Sequence, residues 1–195
     1  MKALNTLPEG FNQIYEIDLQ KDKKKSLLVN GLAIIISVLM IVPMCFYIPI
    51  RELFSFEYGF AQYFIRFGVL LGSIVVYMVL HELVHGITMK LCGTQKVKYG
   101  FTGLYAFAGS DDYYDKKSYI TIALAPVIVW GVVIAVINCF MPREWFWVVY
   151  FIQIMNISGA AGDMYVTVRF LKMPKDILVH DHGVGMKVYS KTEEN

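Results

Sequence analysis

The chain has 195 residues, 56% of them hydrophobic, with a formal net charge of +2 and a mean hydropathy of +0.50. That is too apolar for an ordinary soluble domain, where about 45–50% is usual. The lysines come in short clusters between apolar blocks, so no basic face reads as a nucleic-acid site.

The first stretch, MKALNTLPEGFNQIYEIDLQKDKKK, is polar and mixed. It lacks the early apolar core of a signal peptide, so residues 1–26 are expected to remain in the cytoplasm. Four runs then reach the roughly 20 mostly apolar residues that a bilayer crossing needs. They are Leu27 to Ile48, Phe67 to Met89, Tyr119 to Phe140 and Trp145 to Leu171. The last two are joined only by MPRE, which predicts an antiparallel helical hairpin. Cys45, Cys92 and Cys139 lie far apart, each in or beside an apolar run. They show neither metal spacing nor a disulfide framework and read as buried thiols. Residues 172–195 are expected to form a cytoplasmic tail. The expected fold class is therefore all-α: a four-transmembrane-helix integral-membrane bundle over residues 27–171.

Charge asymmetry gives the direction of the spans. Lys21, Lys23, Lys24 and Lys25 precede the first run, and Lys90, Lys96, Lys98, Lys116 and Lys117 lie between the second and third. Arg169, Lys172 and Lys175 close the fourth, whereas the other two connections carry only Arg51, Arg66 and Arg143. Both termini and the middle loop are thus expected on the cytoplasmic side of a multi-pass cell-membrane protein. In that loop Lys96 to Gly109, KVKYGFTGLYAFAG, alternates. Val97, Tyr99 and Phe101 stand on one side of a turn at Thr102-Gly103, and Tyr105 and Phe107 on the other. It reads either as a short β-hairpin at the cytoplasmic surface or as an interfacial aromatic loop. Asp111 and Asp112 read as solvated carboxylates, with Ser110 or Asp111 capping the third span.

The second run holds VLHELVHGITMK. His81, Glu82 and His85 form H-E-x-x-H, which on a helix puts both imidazoles on one face, able to grip one ion. Zinc suits imidazole and keeps a position for water at a catalytic site. Glu82, one step round the helix, is placed to take a proton from that water. The competing reading is a polar cluster that pairs helices without metal, although ionisable groups inside a span are usually functional.

A catalytic zinc takes a third protein ligand. Asp163, Asp111, Asp112, His180 and His182 are candidates. Depth favours Asp163. His85 lies roughly 8 Å from the end of its span at Lys90, and Asp163 roughly 9 Å from Arg169. The bland reading of Asp163 is a helix-pairing hydrogen bond. In NISGAAGD, Asn156, Gly159, Ala160 and Asp163 share a face, and the small residues between the polar ones admit a close helix. Asn156 reads equally as a substrate or oxyanion donor and as an interhelical hydrogen bond. The HDH pair of His180 and His182 reads as solvated or structural, with a tail folded back over the site mouth as the alternative.

HELVHG, TIALAPVIVWGVVIAV and NISGAAGD together resemble site-two-protease-type intramembrane metalloproteases. More closely, the chain is similar to the bacterial putative zincin peptidase family of small four-span membrane proteins. LPEGFNQIYEIDL and HDHGVGMKVY resemble that family's edges. The resemblance implies zinc held by His81, His85 and Asp163, with Glu82 as catalytic acid and base. It also implies a surface hairpin that pairs with an unfolded protein substrate. Unlike site-two proteases, the chain has no proline around Asn156; Ser158 and Gly159 stand there instead. The function expected is a membrane-embedded zinc metalloendopeptidase acting near the cytoplasmic face on a membrane or membrane-adjacent protein. The alternatives are a membrane zinc hydrolase with a non-protein substrate and a non-catalytic membrane protein. Glu82 weighs against the last, because metal storage or helix pairing needs no glutamate between the ligands.

Overall fold

A computed structural model describes residues 3–18, 21–103, 106–183 and 185–191. After a first strand, β1 (Phe11–Ile17), come the long helices α1 (Lys23–Tyr47) and α2 (Phe60–Leu91). Asp22 starts α1: its carboxylate accepts from the amides of Lys24 and Lys25 at 3.1 Å, satisfying donors that have no partner inside the helix. The hairpin β2 (Lys98–Phe101) and β3 (Ala106–Gly109) follows, then β4 (Tyr113–Asp115) and the third long helix, α3 (Lys116–Phe140). The cap of α3 is neither Ser110 nor Asp111, since β4 intervenes. Asp115 accepts from the amides of Lys117 and Ser118 and from the Ser118 hydroxyl.

These three helices are long and apolar enough to cross a membrane. Ile34, Leu39, Leu71, Val75, Ile128 and Val132 along them stay exposed, a surface suited to lipid rather than water. The cysteines are not buried as expected. Cys139 is exposed and Cys45 and Cys92 half-buried, all as free thiols.

The fourth expected span is divided. It forms α4 (Phe146–Gly159) and α5 (Ala161–Leu171), with Ala160 between them. Glycines at 159 and 162 flank the break, and glycine is among the poorest helix formers. With 14 residues, α4 is roughly 21 Å long, short of a roughly 30 Å hydrocarbon core. The break also puts Asp163 in the first turn of α5, where a negative charge complements the helix dipole.

The all-α expectation fails at the chain ends. β5 (Leu178–Asp181) and β6 (Met186–Lys191) come from the expected tail and join β1 and β4 in a four-stranded antiparallel sheet, ordered β1-β6-β5-β4. Phe11 pairs with Lys191 and Ile17 with Met186, with a bulge between Gln13 and Tyr15. Beyond the bulge Tyr15 and Ile17 turn inward and Glu16 outward. The hairpin between the second and third long helices does form, with Lys98 opposite Gly109 and Phe101 opposite Ala106. Tyr105, expected on its second strand, lies outside the described residues.

The chain divides into two compact units. One comprises Met1–Val29, Glu82–Pro126 and Gly162–Asn195. Its core joins Met89 of α2, Tyr119 and Ile122 of α3 and Phe170 of α5 to Ile17, Val179 and Val188 of the sheet. The other comprises Asn30–His81 and Val127–Ala161, around Leu70, Tyr77, Ile134, Trp147 and Ile152. Within it Arg66 is fully buried. Its guanidinium donates to the carbonyls of Glu52, Ser55 and Glu144, so one side chain ties both short links of that unit.

Candidate metal centre

His81, Glu82 and His85 occupy one turn of α2, where one nitrogen or oxygen from each lies within 4.8 Å of the others. His85 is buried and the other two are half-buried.

His85 and Asp163 belong to the same unit, and the structure brings them together: Nε2 of His85 is 3.7 Å from Oδ2 of Asp163. The other ring nitrogen, Nδ1, is 2.9 Å from the carbonyl oxygen of Ile122 on α3. A carbonyl can only accept, so Nδ1 carries the proton. In the neutral ring Nε2, on the Asp163 side, then holds the lone pair.

His81 is held differently. Its Nδ1 is 2.9 Å from the Tyr77 hydroxyl. That hydroxyl donates at 2.8 Å to Oδ1 of Asn156, whose Nδ2 donates at 3.1 Å to the Val127 carbonyl. The last bond fixes the amide's orientation, because Val127 offers only an acceptor. A tyrosine has one hydroxyl proton, and it is committed to Asn156, so Nδ1 of His81 is the donor to Tyr77. This ring too keeps its lone pair on Nε2. Asn156, read from sequence as a substrate donor or a helix-pairing group, is fully buried in this chain of bonds. No motif in the sequence marks Tyr77, although it stands four residues before His81.

The other candidates lie in different settings. Asp111 is exposed and bonded to Lys98 at 2.6 Å; that ammonium holds its carboxyl below the usual range. His180 sits in β5 against the ring of Tyr113, centroids 4.9 Å apart, and burial pushes its imidazole pKa down. His182 lies beside it, with ring centroids 6.1 Å apart. Between them in sequence, Asp181 is the tail residue that reaches inward. It accepts from the Tyr119 hydroxyl at 2.5 Å and from the Gly183 amide at 2.8 Å. It interacts electrostatically with His85 and Asp163. Burial pushes its carboxyl above the usual range. No sequence pattern marked it, because its approach depends on the sheet.

Gly86, directly after His85, has a packing reason. A Cβ there would come within 1.9 Å of the Tyr99 hydroxyl, so β2 lies against α2 one residue past the motif.

Two imidazoles presenting Nε2 lone pairs and an aspartate beside one of them form a donor set that suits zinc. The 3.7 Å between Nε2 of His85 and Oδ2 of Asp163 is close to the roughly 3–4 Å between two ligands on one zinc ion. The sequence model of a family described as "Putative zincin peptidase" matches residues 74–178, more than half of the chain. The chain belongs to that family. The matched region begins before Tyr77 and ends at Leu178, so it contains the motif, Asn156 and Asp163. Membership supports a zinc metallopeptidase at that level of description. The chain is also similar to an uncharacterized 24.7 kDa protein in the gap 5′ region of Pyrococcus woesei, 30% identical over 119 residues, covering 58% of this chain. The aligned part spans about half the length of that relative, 51%. No solved structure matches the chain.

Proposed function

We propose that the protein is an integral-membrane zinc metalloendopeptidase that hydrolyses a peptide bond at or near the cytoplasmic side of the membrane. The carrying observation is the turn of α2 in which two histidines, both presenting Nε2, flank Glu82. His81, His85 and Asp163 would hold the ion. When bound, zinc supplies Lewis acidity, lowering the pKa of water and polarising the scissile carbonyl. Glu82 takes the proton of the attacking water and returns it to the departing amine. Asn156 acts in this reading through Tyr77, steadying His81, rather than on the oxyanion. Residues 27–171 form the catalytic membrane region. The lysine pattern supports a topology with both termini and the β2–β3 hairpin on the cytoplasmic side. Among the described residues β2 and β3 pair only with each other, which suits strand addition by an unfolded segment of a membrane or membrane-adjacent protein.

Detergent-purified protein incubated with an unfolded model protein tests this. Wild type should generate new N-termini, and Glu82→Gln should reduce the rate by roughly 10²–10⁴-fold with zinc retained. Equal cleavage by Glu82→Gln would contradict the assignment.

A further inference from the structure

The carbonyl that holds His85 has an unusual origin. In an α-helix the oxygen of Ile122 would accept the amide N–H of residue 126. Residue 126 is Pro126, inside α3, which has no N–H. Proline also pushes aside the carbonyl four residues earlier, the one its ring would strike, and that carbonyl too belongs to Ile122. The oxygen left without its helical donor is the one 2.9 Å from Nδ1 of His85. Pro126 and Ile122 are both buried, so water does not compete for the acceptor.

We propose that Pro126 is a positioning residue for the metal centre. By removing one helical hydrogen bond it frees the Ile122 carbonyl to lock His85 in the Nδ1–H tautomer, with Nε2 ready for the ion. An imidazole ligand needs its second nitrogen bonded to fix tautomer and ring direction, and losing such a partner commonly weakens metal binding. A buried site could recruit a carboxylate for this. Here the acceptor is backbone, and it adds no charge beside Asp163 and Asp181. The inference rests on the zinc reading above, but its core statement concerns the hydrogen bond and can be tested without metal.

The test compares Pro126→Ala with a backbone ester at the same position, in which the α-hydroxy analogue of alanine replaces Pro126. Alanine restores the N–H and the ester does not. Alanine is the best helix former, so poor folding is not expected from Pro126→Ala, and circular dichroism checks it. Zinc affinity, measured by competition with a chelator, should fall roughly 10–100-fold in Pro126→Ala and return towards wild type in the ester. With metal-free protein at alkaline pH, ¹⁵N-histidine spectra should show His85 protonated at Nδ1 in wild type and ester, and mixed in Pro126→Ala. Unchanged affinity and tautomer in Pro126→Ala would overturn the proposal. So would equal losses in both variants, which would mean that the ring's shape matters and not the missing N–H. A wild type that binds no zinc would defeat the peptidase reading, while the spectra still decide the role of Pro126.

Discussion

His81 and His85 are the same residue type one turn apart on one helix, yet their Nδ1 atoms are held by different means. His81 leans on side chains: Tyr77 from its own helix, then Asn156 from α4. His85 leans on backbone, the Ile122 carbonyl. Both arrangements give the same tautomer. A side-chain relay can be removed by one substitution. A carbonyl cannot, and is changed only by altering what competes for it. The two histidines should therefore fail differently.

The largest effect expected from breaking the relay comes from Asn156→Ala. Without Asn156 the Tyr77 proton is free to turn towards His81. It would then donate to Nδ1 and move the ring proton to Nε2, the nitrogen needed for metal. Zinc affinity should fall by roughly 100-fold in a chelator competition, and a decrease under threefold would refute the relay. Tyr77→Phe removes the acceptor without supplying a wrong donor, so about a tenfold decrease is expected. The double variant should be no weaker than Asn156→Ala alone, since both act through one ring. Strictly additive losses would show that the two residues act separately. The smallest effect expected is Lys98→Ala, which removes the exposed pair with Asp111. Exposed ion pairs contribute little, so zinc affinity should be unchanged; a clear loss would bring Asp111 back as a ligand.

Sequence reasoning put His81, Glu82 and His85 on one turn of a helix, as the structure has them, because ligand spacing on a helix is a local property. It reached the neighbourhood of Asp163 by counting rise from the charged helix ends, and the 3.7 Å approach to His85 agrees with that count. It missed the break at Ala160 because the surrounding residues are apolar enough to read as one span. It missed the sheet for a different reason. Phe11 pairs with Lys191 across nearly the whole chain, and strands of three to seven residues leave only a faint alternation. The role of Tyr77 was in principle legible, since a residue four before a histidine shares its face. The role of Pro126 was only half legible. The sequence shows which carbonyl a proline frees, but only the packing of α3 against α2 shows which side chain uses it.

The central claim is that this turn of α2, with Asp163, holds zinc. It is tested most directly by the zinc content of protein purified in detergent without chelator. The account predicts close to one zinc per chain in wild type and in Glu82→Gln, with large losses in His81→Ala, His85→Ala and Asp163→Ala. A metal-free wild type, or histidine and aspartate variants that keep wild-type zinc, would contradict it.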